Sequence, residues 1–249
     1  MSVAVDGLIL ILSCQKHRDT RLVEFRLPKD VYAGWPVIYV IGDLFLTTAY
    51  HLEGSLLTLR CEDSYLHLLK KLVLAIKYVR EIFTIRQGIL RCGDDLIFDE
   101  SALCHFLRRD DKPDFYGGSG AGASLLRPNR ADLQQTYNDF FMVRYYRSHP
   151  EDFANPQHNL KGLNLMKYVQ RPRIANGVIG TLYYISARSC ETLVAHMEAL
   201  AYNVLAFDDF SKSYPYTIED CAVSFILYFN GIGLTHADLG IAVHTNKYK

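Results

Sequence analysis

The sequence predicts an α/β fold: a mostly parallel central sheet with helices on both faces. Three observations point there. The run Leu8-Ile9-Leu10-Ile11-Leu12 is apolar without alternation, the pattern of a strand covered on both faces. Pro36 to Gly42 and Leu56 to Cys61 repeat it. After the third run, Tyr65, Leu68, Leu69, Leu72, Val73, Ile76 and Val79 recur at helical spacing, with Lys70, Lys71, Lys77 and Arg80 mostly on the opposite face. Strand and helix alternate over the first hundred residues, and sheets built that way bind ligands at the carboxyl ends of their strands.

The elements follow in order. The first strand opens into the polar loop Ser13 to Asp19, and the mixed segment Thr20 to Lys29 begins as a helix. Asp63 or Ser64 can cap the long helix. Ile89-Leu90 ends a further strand and Leu96-Ile97-Phe98 reads as a buried one, with Gly93-Asp94-Asp95 between them. A helix spans Glu100 to Arg108 and a charged turn runs from Arg108 to Pro113. Phe115 to Gly122 is glycine-rich but does not spell G-x-x-x-x-G-K-[ST], so it is a loop or strand turn and not a P-loop. Residues 127 to 172 are polar, aromatic and irregular. Ile174 to Ile185 is periodic, with Gly177 and Gly180 permitting close backbone approach. Ser186 caps a helix from Ala187 to Leu200, and Ser213 to Tyr216 is a turn. Thr217 and Asp220 stand at capping-box spacing before the apolar helix Cys221 to Phe229, and Gly240 to His244 is a last strand. No repeat or linker divides residues 1–249, which read as one domain.

Composition narrows the function. The 249 residues are 49% hydrophobic, enough for a substantial core. Lys+Arg and Asp+Glu are both 27, so global charge argues for neither nucleic acid nor an anionic membrane surface. None of the six cysteines has C-x-x-C spacing, which disfavours a zinc knuckle; Cys14, Cys61, Cys92 and Cys221 lie in or beside apolar stretches and read as free core thiols. No stretch approaches the length of a membrane span, and Leu8 to Leu12 is too short for a signal peptide, so the chain reads as soluble and cytoplasmic.

The centre of the chemistry is Asp94-Asp95. Two adjacent carboxylates between apolar runs are costly unless a hydrogen-bond donor, a cation or a ligand compensates them. Carboxylates are hard oxygen ligands of the kind Mg²⁺ or Mn²⁺ prefers, and those ions also bind phosphates. The competing reading is a solvated turn, since Asp and Gly are common turn residues. A polymerase palm, which also carries Gly-Asp-Asp, is discounted because the chain is small for one.

Four blocks in this order resemble the beta-1,3-galactosyltransferase-like family, which includes N-acetylglucosaminyl- and Fringe-type transferases. Asp63-Ser64-Tyr65, followed by Leu68 and Lys71, is similar to D-S-Y-x-N-L-T-x-K, with His67 in place of Asn and Leu69 in place of Thr. Gly93 to Phe98 is similar to D-D-D-V-F-V, Gly180 to Ser186 to G-G-A-Y-V-L-S, and Glu219 to Val223 to E-D-V-x-x-G. The blocks span residues 63 to 223. The R-x-T-W element is not evident, although Arg26 and Trp35 lie in that area.

The resemblance implies a GT-A (Rossmann-like) fold, with residues 1–100 as the nucleotide-sugar-binding half and 101–249 as the acceptor-binding half. It implies an inverting transfer from a UDP-sugar to a hydroxyl of a glycan acceptor, assisted by Mn²⁺ or Mg²⁺. Asp95 would ligate the metal and Asp94 would hold the donor near the ribose or sugar. Asp220 would be the base, with Glu219 as fallback. His244 would be a second metal ligand, with His236 as competitor, and Asp63 and Lys71 would touch uridine or phosphate. Gly93 stands where the family has its first acid, which puts the metal requirement in question. Soluble members occur in large viruses that glycosylate their own capsids, which would place the chain in a host cytoplasm. Two rivals remain: a catalytically inactive UDP-sugar- or glycan-binding module, and a nucleotidyltransferase, whose usual glycine-rich basic loop is not found in Ser13 to Asp19.

Overall fold

The computed structural model describes residues 2–117, 136–172, 177–178, 180–203, 205 and 216–244. In chain order the described strands and helices are β1 (Val3–Leu12), α1 (Arg21–Glu24), β2 (Val31–Tyr32), β3 (Trp35–Gly42), β4 (Tyr50–Glu53), β5 (Leu56–Leu59), α2 (Leu68–Ile82), β6 (Phe83–Gly93), β7 (Leu96–Phe98), α3 (Glu100–Arg108), β8 (Phe115–Gly117), β9 (Thr136–Asn138), α4 (Phe140–Ser148), β10 (Gln170–Pro172), β11 (Leu182–Ser186), α5 (Ala187–Ala199), α6 (Glu219–Phe229), β12 (Thr235–His236) and β13 (Ala242–His244). Gly118 to Gly122, the start of the Ile174 to Ile185 stretch and Ser213-Tyr214-Pro215 lie outside the described residues.

The main sheet runs β4-β5-β3-β1-β6-β11-β8-β12, with β2 on β3. Its centre, β5-β3-β1-β6, is parallel, as the strand–helix alternation predicts. β11 returns antiparallel between β6 and β8. The apolar run in β1 is split between two cores by the two-residue period of a strand. Leu8, Leu10 and Leu12 face the layer formed by α2, α5 and α6, whose apolar residues Leu72, Ile76, Leu193, Val223 and Leu227 are all buried. Ile9 and Ile11 face the other side, with Trp35, Leu103, Phe106 and Leu107. Both faces are covered, which is why the run has no polar alternation. A third cluster, around Met142, Val143, Tyr146 and Leu160, packs against Leu66 at the start of the α2 region.

Several local expectations change. Leu96-Ile97-Phe98 is not a buried sheet strand: it forms a two-stranded antiparallel ribbon with β13, and Ile97 is 55% exposed. The last strand therefore joins this ribbon and not the main sheet. The segment after the first loop is helical only over Arg21–Glu24. β4 and β5 form a hairpin, and half of β4 is exposed, so its apolar signal is weak. The long helix begins as a 3-10 turn, Tyr65–His67, with no side-chain cap, because the Ser64 hydroxyl meets His67 Nδ1 at 2.7 Å and Asp63 is used elsewhere. α6 starts after Ile218, so Thr217 is not at the cap position. Ser186 does cap α5, accepting from the Ser189 amide at 3.2 Å. All six cysteines are free, and Cys14 is half-buried where a core thiol was expected. Among the described residues no helix is long and apolar enough to cross a membrane.

Candidate functional site

The register Leu12↔Gly93 ends β1 and β6 side by side, so the loop leaving β1 lies over the turn leaving β6. That loop supplies the groups that compensate Asp94. Ser13 Oγ donates to Asp94 Oδ2 at 2.7 Å, His17 Nδ1 meets the same oxygen at 2.7 Å, and Arg21 Nη1 donates to Oδ1 at 3.2 Å. Arg21 Nη1 also lies 3.8 Å from Asp95 Oδ2, so one guanidinium spans both carboxylates. Burial by itself would raise the pKa of Asp94, but the His17 and Ser13 hydrogen bonds and the Arg21 charge outweigh it and hold the carboxyl below its usual range. Burial likewise works to lower His17, and the hydrogen bonds to Asp94 and Cys14 overcome it, raising the imidazole to about 9. His17 is therefore an imidazolium at neutral pH.

Beneath this loop lies a second ion pair. Lys71 Nζ donates to Asp63 Oδ1 and, at 2.8 Å, to the Ser13 carbonyl. Asp63 Oδ1 also accepts from the Gly42 amide at 2.9 Å, and Oδ2 accepts from the Gln15 amide at 2.6 Å. The ammonium is only 1% exposed. Asp63 and Lys71, expected to touch uridine or phosphate, are thus committed to each other and to backbone groups, and they tie the exits of β1 and β3 together. A Cβ at Gly42 would come within 2.9 Å of Asp63 Oδ1, so only glycine leaves room for the bond from its amide.

The other limb of the site lies across β6. Arg91 alternates with Leu90 and Cys92, so its side chain points to the helix layer that holds the start of α6. There Arg91 Nη2 donates to Glu219 Oε2 at 3.1 Å, Arg91 Nη1 donates to the Gly180 carbonyl, and the Tyr183 hydroxyl donates to Glu219 Oε1. Burial raises the Glu219 carboxyl above its ordinary value, against the pull of Arg91. The neighbouring Asp220 is half-buried. Its Oδ2 accepts from the Gly180 amide at 2.9 Å and its Oδ1 from the Cys221 amide at 2.7 Å. The Gly93 amide donates to the Thr181 carbonyl at 2.8 Å, so a few backbone bonds connect the Asp94-Asp95 turn to Asp220.

Asp94, Asp95 and Asp220 therefore lie at the same end of the main sheet, joined through the backbone of Gly93, Thr181 and Gly180. In the ribbon, His244 pairs with Leu96, the residue after Asp95, while its side chain lies outside the described residues. His236 pairs with Gly117 on the far edge of the sheet. A cleft of about 250 Å³ opens beside the cationic loop, between Gln15 and Arg18 on one side and Asp43, His51, Glu53 and Thr58 on the other. Whole small-ligand sites run from about 300 to 1,000 Å³, so this cleft suits one part of a ligand.

The side chains present do not fit a divalent ion as arranged. Asp94 accepts from three side chains, and the guanidinium of Arg21 lies against both carboxylates. Like unit charges about 4 Å apart repel by about 4 kcal/mol near a protein surface, and a divalent ion would double that. Among the described residues no group of three or more His, Cys, Asp or Glu side chains could hold a metal.

The sequence did not single out Ser13, His17, Arg21, Arg91 or Tyr183. Arg91 carried a usable signal, since one Arg inside Ile89-Leu90-Arg91-Cys92 is a buried charge that requires a partner. The loop residues carried only their position after a strand.

No family model matches the chain, and no curated protein does. Among solved structures, it is similar to the inositol-1-phosphate CTP transferase from T. maritima, at 12% identity and a TM-score of 0.40 over 98% of this chain and 89% of that one. A likeness of that degree assigns no activity.

Proposed function

We propose that the protein is an inverting glycosyltransferase of the GT-A class, moving a sugar from a UDP-sugar to a hydroxyl of a glycan acceptor. The observation that supports this best is the placement of Asp94-Asp95 and Asp220 at the same, carboxyl end of the parallel strands, the usual ligand end of such a sheet. In this reading the cleft between Gln15 and Thr58 takes the nucleoside, and the diphosphate lies toward the loop of His17 and Arg21. Asp220 is the base: it is the more exposed member of its pair, whereas Glu219 is enclosed by Arg91 and Tyr183. During transfer the acceptor oxygen bonds to the anomeric carbon as the bond from that carbon to the diphosphate oxygen breaks. The pair of electrons leaves with UDP, and the hydroxyl proton passes to Asp220.

Release of UDP from a panel of UDP-sugars tests the proposal, with and without a glycan acceptor. Asp220→Asn should lower turnover by roughly 10²- to 10⁴-fold while leaving UDP affinity within about twofold. Unchanged turnover in that variant refutes the base assignment. One observation favours a second reading, a non-catalytic UDP-sugar-binding module: both oxygens of Asp220 already accept backbone amides. In that case UDP binds, no donor is consumed and Asp220→Asn changes nothing.

A further inference from the structure

We infer that Arg21, which spans both carboxylates of this site, receives the donor's diphosphate without a divalent ion. This rests on the donor reading above. It contradicts the metal requirement that the resemblance carries. The argument is one of placement. A metal-dependent site presents its carboxylates to an incoming ion. Here Asp94 and Asp95 instead present to a side chain of the same chain, with Arg21 Nη1 at 3.2 Å from one and 3.8 Å from the other. Ser13 and His17 take the second oxygen of Asp94 at 2.7 Å each, so that carboxylate is enclosed by protein donors.

Gly93 agrees with this arrangement. A Cβ at that position would lie 3.1 Å from Asp95 Oδ1, so a third acid would crowd the carboxylate that faces Arg21. Arginine suits the task because its charge is permanent and its five N–H donors are fixed in one plane, allowing a carboxylate and a phosphate to be held by the same group. Arg18, two residues along from Lys16 and on the wall of the cleft, extends the cationic loop toward the cleft assigned to the nucleoside.

In the transfer step, the bond between the anomeric carbon and the diphosphate oxygen breaks and its electron pair stays on UDP. Arg21 neutralises that charge as it develops, the part usually given to a metal. Asp94 and Asp95 become positioning residues for the guanidinium.

The test is calorimetric titration of the full chain with UDP, once in EDTA and once in Mn²⁺, for wild type and Arg21→Gln, with Mn²⁺ alone as a third titrant. The expected result is UDP binding to wild type that agrees within about twofold in both conditions, and no heat from Mn²⁺ at millimolar concentration. Arg21→Gln should weaken UDP binding by roughly 10- to 100-fold in EDTA, the loss of one charged hydrogen-bond donor, with the thermal unfolding midpoint little changed. Arg21→Lys, which keeps the charge but not the fork, should fall between the two. UDP binding that appears only with Mn²⁺, or Arg21→Gln binding UDP as wild type does, overturns the inference alone. UDP binding in neither condition overturns the donor reading and the inference together.

Discussion

The molecule holds two adjacent-carboxylate pairs at the same end of its sheet, and they are built in the same way from different materials. In each, one acid is anchored and the other is more open: Asp94 with Asp95, and Glu219 with Asp220. In each, an arginine holds the anchor. The difference lies in where that arginine stands. Arg21 projects from a short helix after a loop, while Arg91 projects from the interior of a central sheet strand, two residues before its end. A charge held by a loop can be re-partnered by a ligand, whereas a charge held by a core strand is part of the fold. The pair beside Arg21 is therefore suited to re-partnering, and the one beside Arg91 to fixing the position of Asp220.

The largest effect that could break this contrast is at Arg91. Arg91→Met leaves Glu219 buried without its cation, and removing one partner of a buried pair costs about 3–5 kcal/mol. Denaturant unfolding near neutral pH should show that loss, and the loss should shrink in acid because Glu219 is already raised and can take a proton. A loss below about 1 kcal/mol would put Arg91 on the same footing as a surface pair.

Next in size is the pH dependence that His17 confers. Its pKa is raised from 6.5 in the unfolded chain to about 9, so its contribution is complete below pH 6.5 and disappears as pH rises through 9. At 1.36 kcal/mol per pH unit this is on the order of 3 kcal/mol. Asp94 has the opposite sign: its lowered pKa gives stability that is present above the ordinary carboxylate range and is lost as pH falls through the lowered value. Wild type should thus be most stable between mild acid and about pH 6.5. His17→Gln should flatten the alkaline limb of an unfolding-midpoint profile, and an unchanged limb would refute the pairing.

Tyr183→Phe sharpens the comparison further, since it removes only the hydroxyl that donates to Glu219. A hydrogen bond to a charged group is worth about 1.5–3 kcal/mol, and unfolding should report a loss of that size. Smallest of all is the effect of Arg21→Gln on stability, expected at about 1 kcal/mol because Ser13 and His17 still hold Asp94 once the guanidinium is gone. Equal losses at Arg21 and Arg91 would erase the distinction between the two regions.

The parts of the structure that were legible in the sequence are those carried by short-range pattern. The unbroken apolar run in β1 required a strand covered on both faces, and the spacing from Tyr65 to Val79 required a helix. Asp94-Asp95 could be placed at a strand exit because it followed an apolar run in an alternating α/β chain. The partners of Asp94 could not be found that way. Ser13, His17 and Arg21 lie more than seventy residues away, and nothing in a polar loop says which of its side chains turns inward. The placement of Lys71 was not legible for a related reason: among four basic residues on one helix, only the tertiary structure distinguishes the one that points under the sheet exits. The ribbon of β7 and β13 was missed because Leu96-Ile97-Phe98 is as apolar as a core strand, although Ile97 faces solvent.

The strand that carries Arg91 also limits how the chain can change in length. From Gly88 to Cys92, β6 is paired with β1 on one side and β11 on the other, and the pairing with β1 runs on to Gly93. A Cβ at Gly88 would come within 2.1 Å of the Ile185 carbonyl, so that position is fixed by its neighbour. Deleting or inserting one residue between these two glycines would turn every side chain to the opposite face. The guanidinium would then enter the apolar layer under α3, and Cys92 would face Glu219. Length variation can be absorbed in the loop after β1, whereas in this six-residue stretch a single added or lost codon would separate the acid that needs a cation from the cation itself.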